Sequence, residues 1–304
     1  MGNTPLGWAA GNGHEEVVEL LLGRNDIDPN KPGEDGRTPL IRASCGGHQE
    51  VVRMLLGRGD MDPNKSDDEG KTALFCASEK GHEGVVKMLL GREDINPNNS
   101  DARDRTPLWW AACSGNEAMV KILLSRYDVE PEKPDYYGQT PLSCAAENGN
   151  ERVLKILLAR DDVNPDKPDD NGKTPLSYAA SYGHKGVVEI LLGQDNVNPD
   201  KSDKDGHTPL WWAAASGSKG VVKMLLARDD VNPDTPDRNG CTPLFCAAVY
   251  EHMGVVRILL RWDEVNPDKP NKCRQTALSL AVRNYHTRVI ALLLPQTAIT
   301  YSTD

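Results

Sequence analysis

The chain has 304 residues, seven cysteines and a net charge of −10 at neutral pH, with a pI near 5.3. That acidic balance counts against nucleic acid and anionic membranes as partners, because both are gripped by basic surfaces. No apolar run approaches the roughly 20 residues that cross a bilayer, and Met1 is not followed by the basic and apolar stretches of a secretory leader, so a cytoplasmic chain is expected.

The first predicted element opens at Thr4-Pro5-Leu6. The tripeptide returns every 34 residues, at Thr38, Thr72, Thr106, Thr140, Thr174, Thr208, Thr242 and Thr276, with Ala73 and Ala277 in place of proline. A period of this length that never slips marks a repeat array, in which each repeat touches only its neighbours. Residues 1–294 therefore read as one domain of nine repeats, and 295–304 as a tail that leaves the pattern and is expected to be disordered. Met1-Gly2-Asn3 fall inside a repeat with no finger before them, which suggests a piece of a longer protein whose first repeat frays.

The sixth repeat shows the local logic. Thr174-Pro175 start a helix, the hydroxyl capping a free N–H and proline filling the first helical position. The helix passes through Leu176, Ala179 and Ala180 to Gly183, which can take the left-handed conformation that ends helices. His184 opens a second helix whose Val187, Val188, Ile190, Leu191 and Leu192 form a broad apolar stripe, while Lys185 and Glu189 face outward. From Asp195 to Gly206 the residues are those of turns, anchored by Val197. Neither helix can bury its stripe alone, so the predicted fold is all-α, with helix-turn-helix repeats stacked on one another.

The run Gly172-Lys173-Thr174-Pro175-Leu176-Ser177-Tyr178-Ala179-Ala180-Ser181-Tyr182-Gly183-His184 resembles the ankyrin repeat, and nine copies in register extend the resemblance along nearly the whole chain. It implies an ankyrin-repeat solenoid. Three features depart from the family pattern: a period of 34 instead of 33, no histidine after Thr-Pro-Leu, and longer fingers carrying proline in all eight copies, from Pro29 to Pro267. Since proline removes a ladder donor, these fingers are expected to be stiff but poor in strand. The Asp-Val-Asn-Pro-Asp-Lys-Pro-Asp wording is similar to long arrays of filamentous fungi.

Few residues invite chemistry. His14, His48, His82, His184, His252 and His286 share one slot and are expected to cap the second helix. Only His207 stands elsewhere, and one histidine without a paired nucleophile is no catalytic site. Asp62-Pro63-Asn64-Lys65-Ser66-Asp67 alternates oxygen donors but lacks the central glycine and closing glutamate of a calcium loop, so turn formation is preferred and no metal or cofactor is expected. The cysteines read as free thiols of a reducing compartment.

Aromatic residues make the remaining pattern. Trp109-Trp110 and Trp211-Trp212 fill identical slots. Packing is the favoured role of Trp109 and Trp211, whereas Trp110 and Trp212 suit packing or partner contact equally. Tyr178 and Tyr182 lie four apart on one helix, Tyr136 and Tyr137 crown a finger, and Tyr250 occupies a position that varies in the family because it faces ligand. Arg37, Lys71, Arg105 and Lys173 precede the threonines, and Glu79, Lys80 and Glu147 sit at variable helix positions. Asp104, Arg274, Glu251 and Tyr285 replace turn glycines, and the polar Arg283, Asn284, Thr287 and Arg288 suit a C-terminal cap.

The resemblance and the aromatic pattern together imply a non-enzymatic, monomeric module. It would bind a partner protein on the concave face through Arg105, Trp110, Tyr136, Tyr137, Glu147, Lys173, Tyr178, Tyr182, His207, Trp212 and Tyr250. The rival readings are a small-molecule binder or enzyme using a Trp/Tyr-lined groove, and a structural or self-associating spacer.

Overall fold

A computed structural model describes residues 4–297. Eighteen helices run in nine pairs, from Pro5–Gly11 with Glu15–Leu22 to Ala277–Arg283 with Thr287–Thr297. The caps form as the tripeptide dictates: in repeats one and six, Thr4 and Thr174 accept from the backbone N–H of Gly7 and Ser177, with proline at the helix start. Gly47, Gly81 and Gly183 end first helices at φ 72°, 78° and 74°. The four residues that replace glycine, Asp104, Glu251, Arg274 and Tyr285, take the same left-handed conformation at φ 60°, 58°, 60° and 60°. The last helix carries Pro295 inside it and runs on to Thr297, so helical backbone continues beyond the point where the sequence pattern stops. Residues 1–3 and 298–304, where a fraying start and a disordered tail were expected, lie outside the described residues.

The chain divides into two compact bodies, Met1–Pro141 with Ile156–Val163 and Leu142–Lys155 with Asn164–Asp304, the boundary falling within the fifth repeat. In the N-terminal body, Pro39–Gly46 packs between Pro5–Gly11 and Ala73–Lys80. In the C-terminal body, Pro209–Ala215 packs between Pro175–Tyr182 and Pro243–Val249. The alanine pairs make this close approach possible: Ala179, Ala180, Ala213, Ala214, Ala247 and Ala248 are fully buried. Behind them the second helices bury Val187, Val188, Leu191, Val221, Val222 and Leu225, each contributing about 1.5–3 kcal/mol of transfer energy.

Neighbouring repeats are also stapled by hydrogen bonds. The shared histidines are the first staple, and here the capping expectation fails. His48, His82, His184 and His252 stand at the N-cap, but their side chains make no cap bond. Nε2 instead reaches the preceding repeat, 3.1 Å from Gly11 O, 3.0 Å from Cys45 O, 2.8 Å from Glu147 O and 2.9 Å from Ala215 O. A carbonyl only accepts, so each of these nitrogens carries the proton. The imidazole is too long to fold back on its own helix but spans the gap to the next one; the shorter Asn116, in the same slot, does cap, accepting from Met119 N at 3.0 Å. Arginines supply a second staple. Arg58, Arg92, Arg126 and Arg228 donate to Leu22, Leu56, Leu90 and Leu192 at 2.6–3.0 Å, satisfying last-turn carbonyls of the preceding helix.

The fingers are turns, not strands. Successive tips share one backbone bond, as in Lys204 N to Asn171 O at 2.8 Å and Arg238 N to Asp205 O at 2.8 Å, and the described residues contain one isolated bridge, Ser66 with Thr72. Most of the finger turns are wrapped around an aspartate. Asp203 Oδ1 accepts from Asp205 N and His207 N, and Asp67, Asp101, Asp169 and Asp237 repeat the pattern. The aspartates read earlier as turn formers thus organise the backbone.

A lysine ladder crosses the C-terminal fingers. Lys201 Nζ binds Asp166 Oδ2 at 2.9 Å, and Lys269 Nζ binds Asp234 Oδ2 at 2.8 Å. Between them Asp200 faces Thr235 and has no such partner. Burial pushes its carboxyl up, only partly offset by the nearby Asn232 N–H and Thr235 hydroxyl. Because the folded pKa lies above the unfolded value, the charged form is penalised at neutral pH, and the penalty lifts as pH falls through the raised folded value towards 3.8. Thr235→Lys should therefore stabilise the fold by about 0.5–1 kcal/mol at pH 7, the range of a half-exposed pair. The gain should vanish below the unfolded pKa. Urea midpoints at pH 7 and pH 3 check both; an equal gain at the two pH values would rule out the charge explanation.

Two cysteines depart from the free-thiol expectation. Cys113 and Cys144 are disulfide-bonded, whereas Cys45, Cys76, Cys241, Cys246 and Cys273 are free. The neighbouring Cys76 thiol lowers the Cys45 pKa, whereas Cys45 and burial raise that of Cys76.

Candidate functional site

In the sixth repeat three slots come together beside the finger: Lys173 before the threonine, and Tyr178 and Tyr182 four and eight places after it. The finger aspartate orients the first, and one helix face carries the other two.

In the N-terminal body, Arg105 Nε and Nη2 donate to Asp101 Oδ2 at 2.9 and 2.5 Å, and the guanidinium lies 4.6 Å over the Trp110 ring and 5.8 Å from Trp109. Buried Phe75 meets Trp110 edge-on at 6.4 Å. Trp109 is 7 % exposed and donates through Nε1 to Gln139 O at 3.0 Å. Trp110 is half-buried and its Nε1 has no partner. Tyr136 and Tyr137 project from the finger, both exposed, their rings edge to face at 5.4 Å. Among the described residues their rings make no contact with the Arg105–Trp110 stack.

The C-terminal body gathers more of the expected residues. Lys173 Nζ lies 4.2 Å from the Trp212 ring, 4.3 Å from Tyr178 and 6.0 Å from Tyr182, and donates to Ser181 Oγ at 3.1 Å. Tyr178 donates its hydroxyl to Asp169 Oδ2 at 2.7 Å, and Trp212 Nε1 donates to Asp203 Oδ2 at 3.1 Å. Tyr178 and Trp212, in the same slot of successive repeats, are therefore each anchored to their own finger aspartate. His207 Nδ1 sits 3.1 Å from the same Asp203 Oδ2, and its ring packs 3.9 Å from Trp211 and 5.1 Å from Trp212. Burial raises the Tyr182 pKa, and the Glu147 carboxylate adds to the effect. Burial pushes the Lys173 ammonium down, against the pull of Glu147, Asp169 and Asp203. Between these side chains lies an open groove of about 330 Å³, with Lys173 and Trp212 in its walls and Tyr182 and Tyr250, 58 % and 59 % exposed, at its edges.

The chemistry available is that of recognition: flat apolar faces, a cation and several hydroxyls. The family described as Ankyrin repeats (3 copies) matches six overlapping stretches, residues 6–101, 60–135, 93–169, 128–203, 157–237 and 186–271. The chain belongs to the ankyrin repeat family. No curated protein matches it. Ankyrin repeats are generic protein–protein interaction modules, typically without enzymatic activity, and here the ankyrin finger carries proline and aspartate in place of strand residues.

Sequence reasoning missed three groove residues of this ankyrin array. Trp211, assigned to packing, is half-buried and lines the groove, and Ser181 and Ser216 line it as well. The available signal was the residue before the threonine. Arg105 has a partly buried guanidinium over the rings beside Trp109, whereas the smaller His207 lies against Trp211.

Proposed function

We propose that this chain is a protein-binding module whose docking face in the C-terminal body is the groove at Lys173, Tyr182, Trp212 and Tyr250. The observation that carries the reading is the pair of exposed tyrosine rings beside a groove with an aromatic wall already held in place. Trp212 is fixed by Asp203 and Tyr178 by Asp169 before any partner arrives, so little ordering remains to be done on binding. Tyrosine and tryptophan supply large contact areas with few rotatable bonds, the usual make-up of binding hot spots. In the N-terminal body, Arg105, Trp110, Tyr136 and Tyr137 would form a separate patch of its own, and Glu147 and His207 would hold the C-terminal patch in shape.

The test is capture of partner from an extract of the source organism by the full chain and by Tyr182→Ala with Tyr250→Ala. Both rings are exposed, so the variant should keep its circular dichroism, while capture should fall by about 30-fold, the equivalent of a 2 kcal/mol hot spot. Undiminished capture by a folded variant would remove the groove from the function.

A further inference from the structure

The residue before the threonine is Arg, Lys or His in five of the repeats, and in four of them it lies within 4 Å of a carboxylate. Arg37 Nε pairs with Asp67 at 3.2 Å, Arg105 with Asp101 at 2.5 Å, and His207 lies 3.1 Å from Asp203. Lys71 Nζ pairs with Glu79 at 3.2 Å and with Glu69 at 3.3 Å. The Lys173 ammonium has no ion pair among the described residues; the one hydrogen-bond partner of its Nζ is the Ser181 hydroxyl.

Substitutions at the partner slots explain the difference. The positions that hold Glu69 and Glu79 beside Lys71 are, 102 residues later, Asn171 and Ser181. The finger aspartate is still present, but Asp169 Oδ2 is taken by the Tyr178 hydroxyl and Oδ1 by the N–H groups of Asn171 and Lys173. The next carboxylate, Asp203, is bonded to Trp212, His207 and two backbone N–H groups. Glu147 acts on both Tyr182 and Lys173 but forms no ion pair with the ammonium. What surrounds the ammonium instead is three aromatic rings and the open groove.

On the docking reading above, we infer that the groove receives an acidic peptide segment of the partner. An aspartate or glutamate carboxylate pairs with Lys173, and a neighbouring bulky apolar side chain lies against Tyr182, Trp212 and Tyr250. An aromatic enclosure of this kind would otherwise suit an ammonium ligand, but the chain's own ammonium already occupies it, which disfavours a basic peptide. A carboxylate supplies the charge partner that Asn171 and Ser181 withhold, in a setting where charge-assisted bonds are strong. Burial already disfavours the free ammonium, so an incoming carboxylate also relieves a cost present before binding.

The test is panning a random heptapeptide phage library on the immobilised full chain, in parallel with Lys173→Met, Lys173→Arg and Tyr182→Ala, each checked by circular dichroism. The expected result is enrichment of peptides with Asp or Glu beside an apolar residue on the parent and on Lys173→Arg, lost on Lys173→Met. For the best synthetic peptide, Lys173→Met and a Glu→Gln or Asp→Asn change in the peptide should each weaken binding about tenfold, and together no further, as expected of one shared pair. Peptides that need Tyr182 but are neutral or basic, or acidic peptides indifferent to Lys173→Met, would overturn the inference while leaving the groove as a docking face. If no enriched peptide depends on Tyr182, or none is enriched, the docking reading falls and the inference with it.

Discussion

Phe75→Ala is expected to destabilise the N-terminal body by about 3–5 kcal/mol, the range for removing a buried phenylalanine. Phe75 is fully buried on Ala73–Lys80. Its ring meets the edge of Trp110 and takes the Lys71 ammonium at 5.6 Å. Alanine would leave a cavity beside the Trp110 edge, between helices that are already closely packed on either side. Repeats are held by their neighbours, so the loss should stay local and split the unfolding curve, the N-terminal repeats melting first. Urea unfolding followed by the Trp110 indole resonance and by circular dichroism tests this. A single transition shifted by less than 1 kcal/mol would show that the repeat does not depend on that ring.

Asp203→Ala should cost about 3 kcal/mol, because it strands several donors at once and each buried orphan is worth about 1–3 kcal/mol. The donors are Asp205 N, His207 N, His207 Nδ1 and Trp212 Nε1, at 3.0, 2.8, 3.1 and 3.1 Å. Asp203→Asn should cost far less, about 1 kcal/mol. The eighth finger already uses Asn271 in this slot, accepting from Cys273 N at 3.0 Å and Gln275 N at 2.9 Å. Thermal melts of the two variants decide the matter. Equal losses would mean that the carboxylate charge, not the acceptor geometry, organises the finger. The alanine variant should also free the Trp212 ring, seen as a shifted indole N–H resonance.

Most of the fold was legible because its signals are local. A threonine cap acts on the residue three places on, a glycine turn sets its own φ, and alanine pairs declare close approach without reference to distant residues. The repeat period then multiplies each signal nine times. What stayed hidden depends on the neighbouring repeat. The histidines stand at the N-cap as expected, but their bonds go to carbonyls 37 residues back, a distance that means nothing until the stack exists. Trp109 and Trp211 are one slot in sequence. Trp109 finds Gln139 O for its indole, while Trp211 Nε1 finds none and its ring stays half-exposed. Lys173 looked like one of several surface cations; its unpaired state follows from Asn171, Tyr178 and Ser181 jointly, which no single position announces.

The staples have a mechanical consequence. The inter-repeat hydrogen bonds described above span 30 to 37 residues, about one repeat length, and none of them ties a repeat to one two places away. A pull on the chain ends therefore meets no long-range clamp, and resistance at any moment comes from one junction. Each junction that gives way pays out 34 residues, about 110 Å of slack, while the remaining repeats keep their shape. Such a chain yields stepwise under tension, as a ratchet does, and a partner seated at Lys173 would bridge the sixth and seventh repeats and raise the force needed to part them.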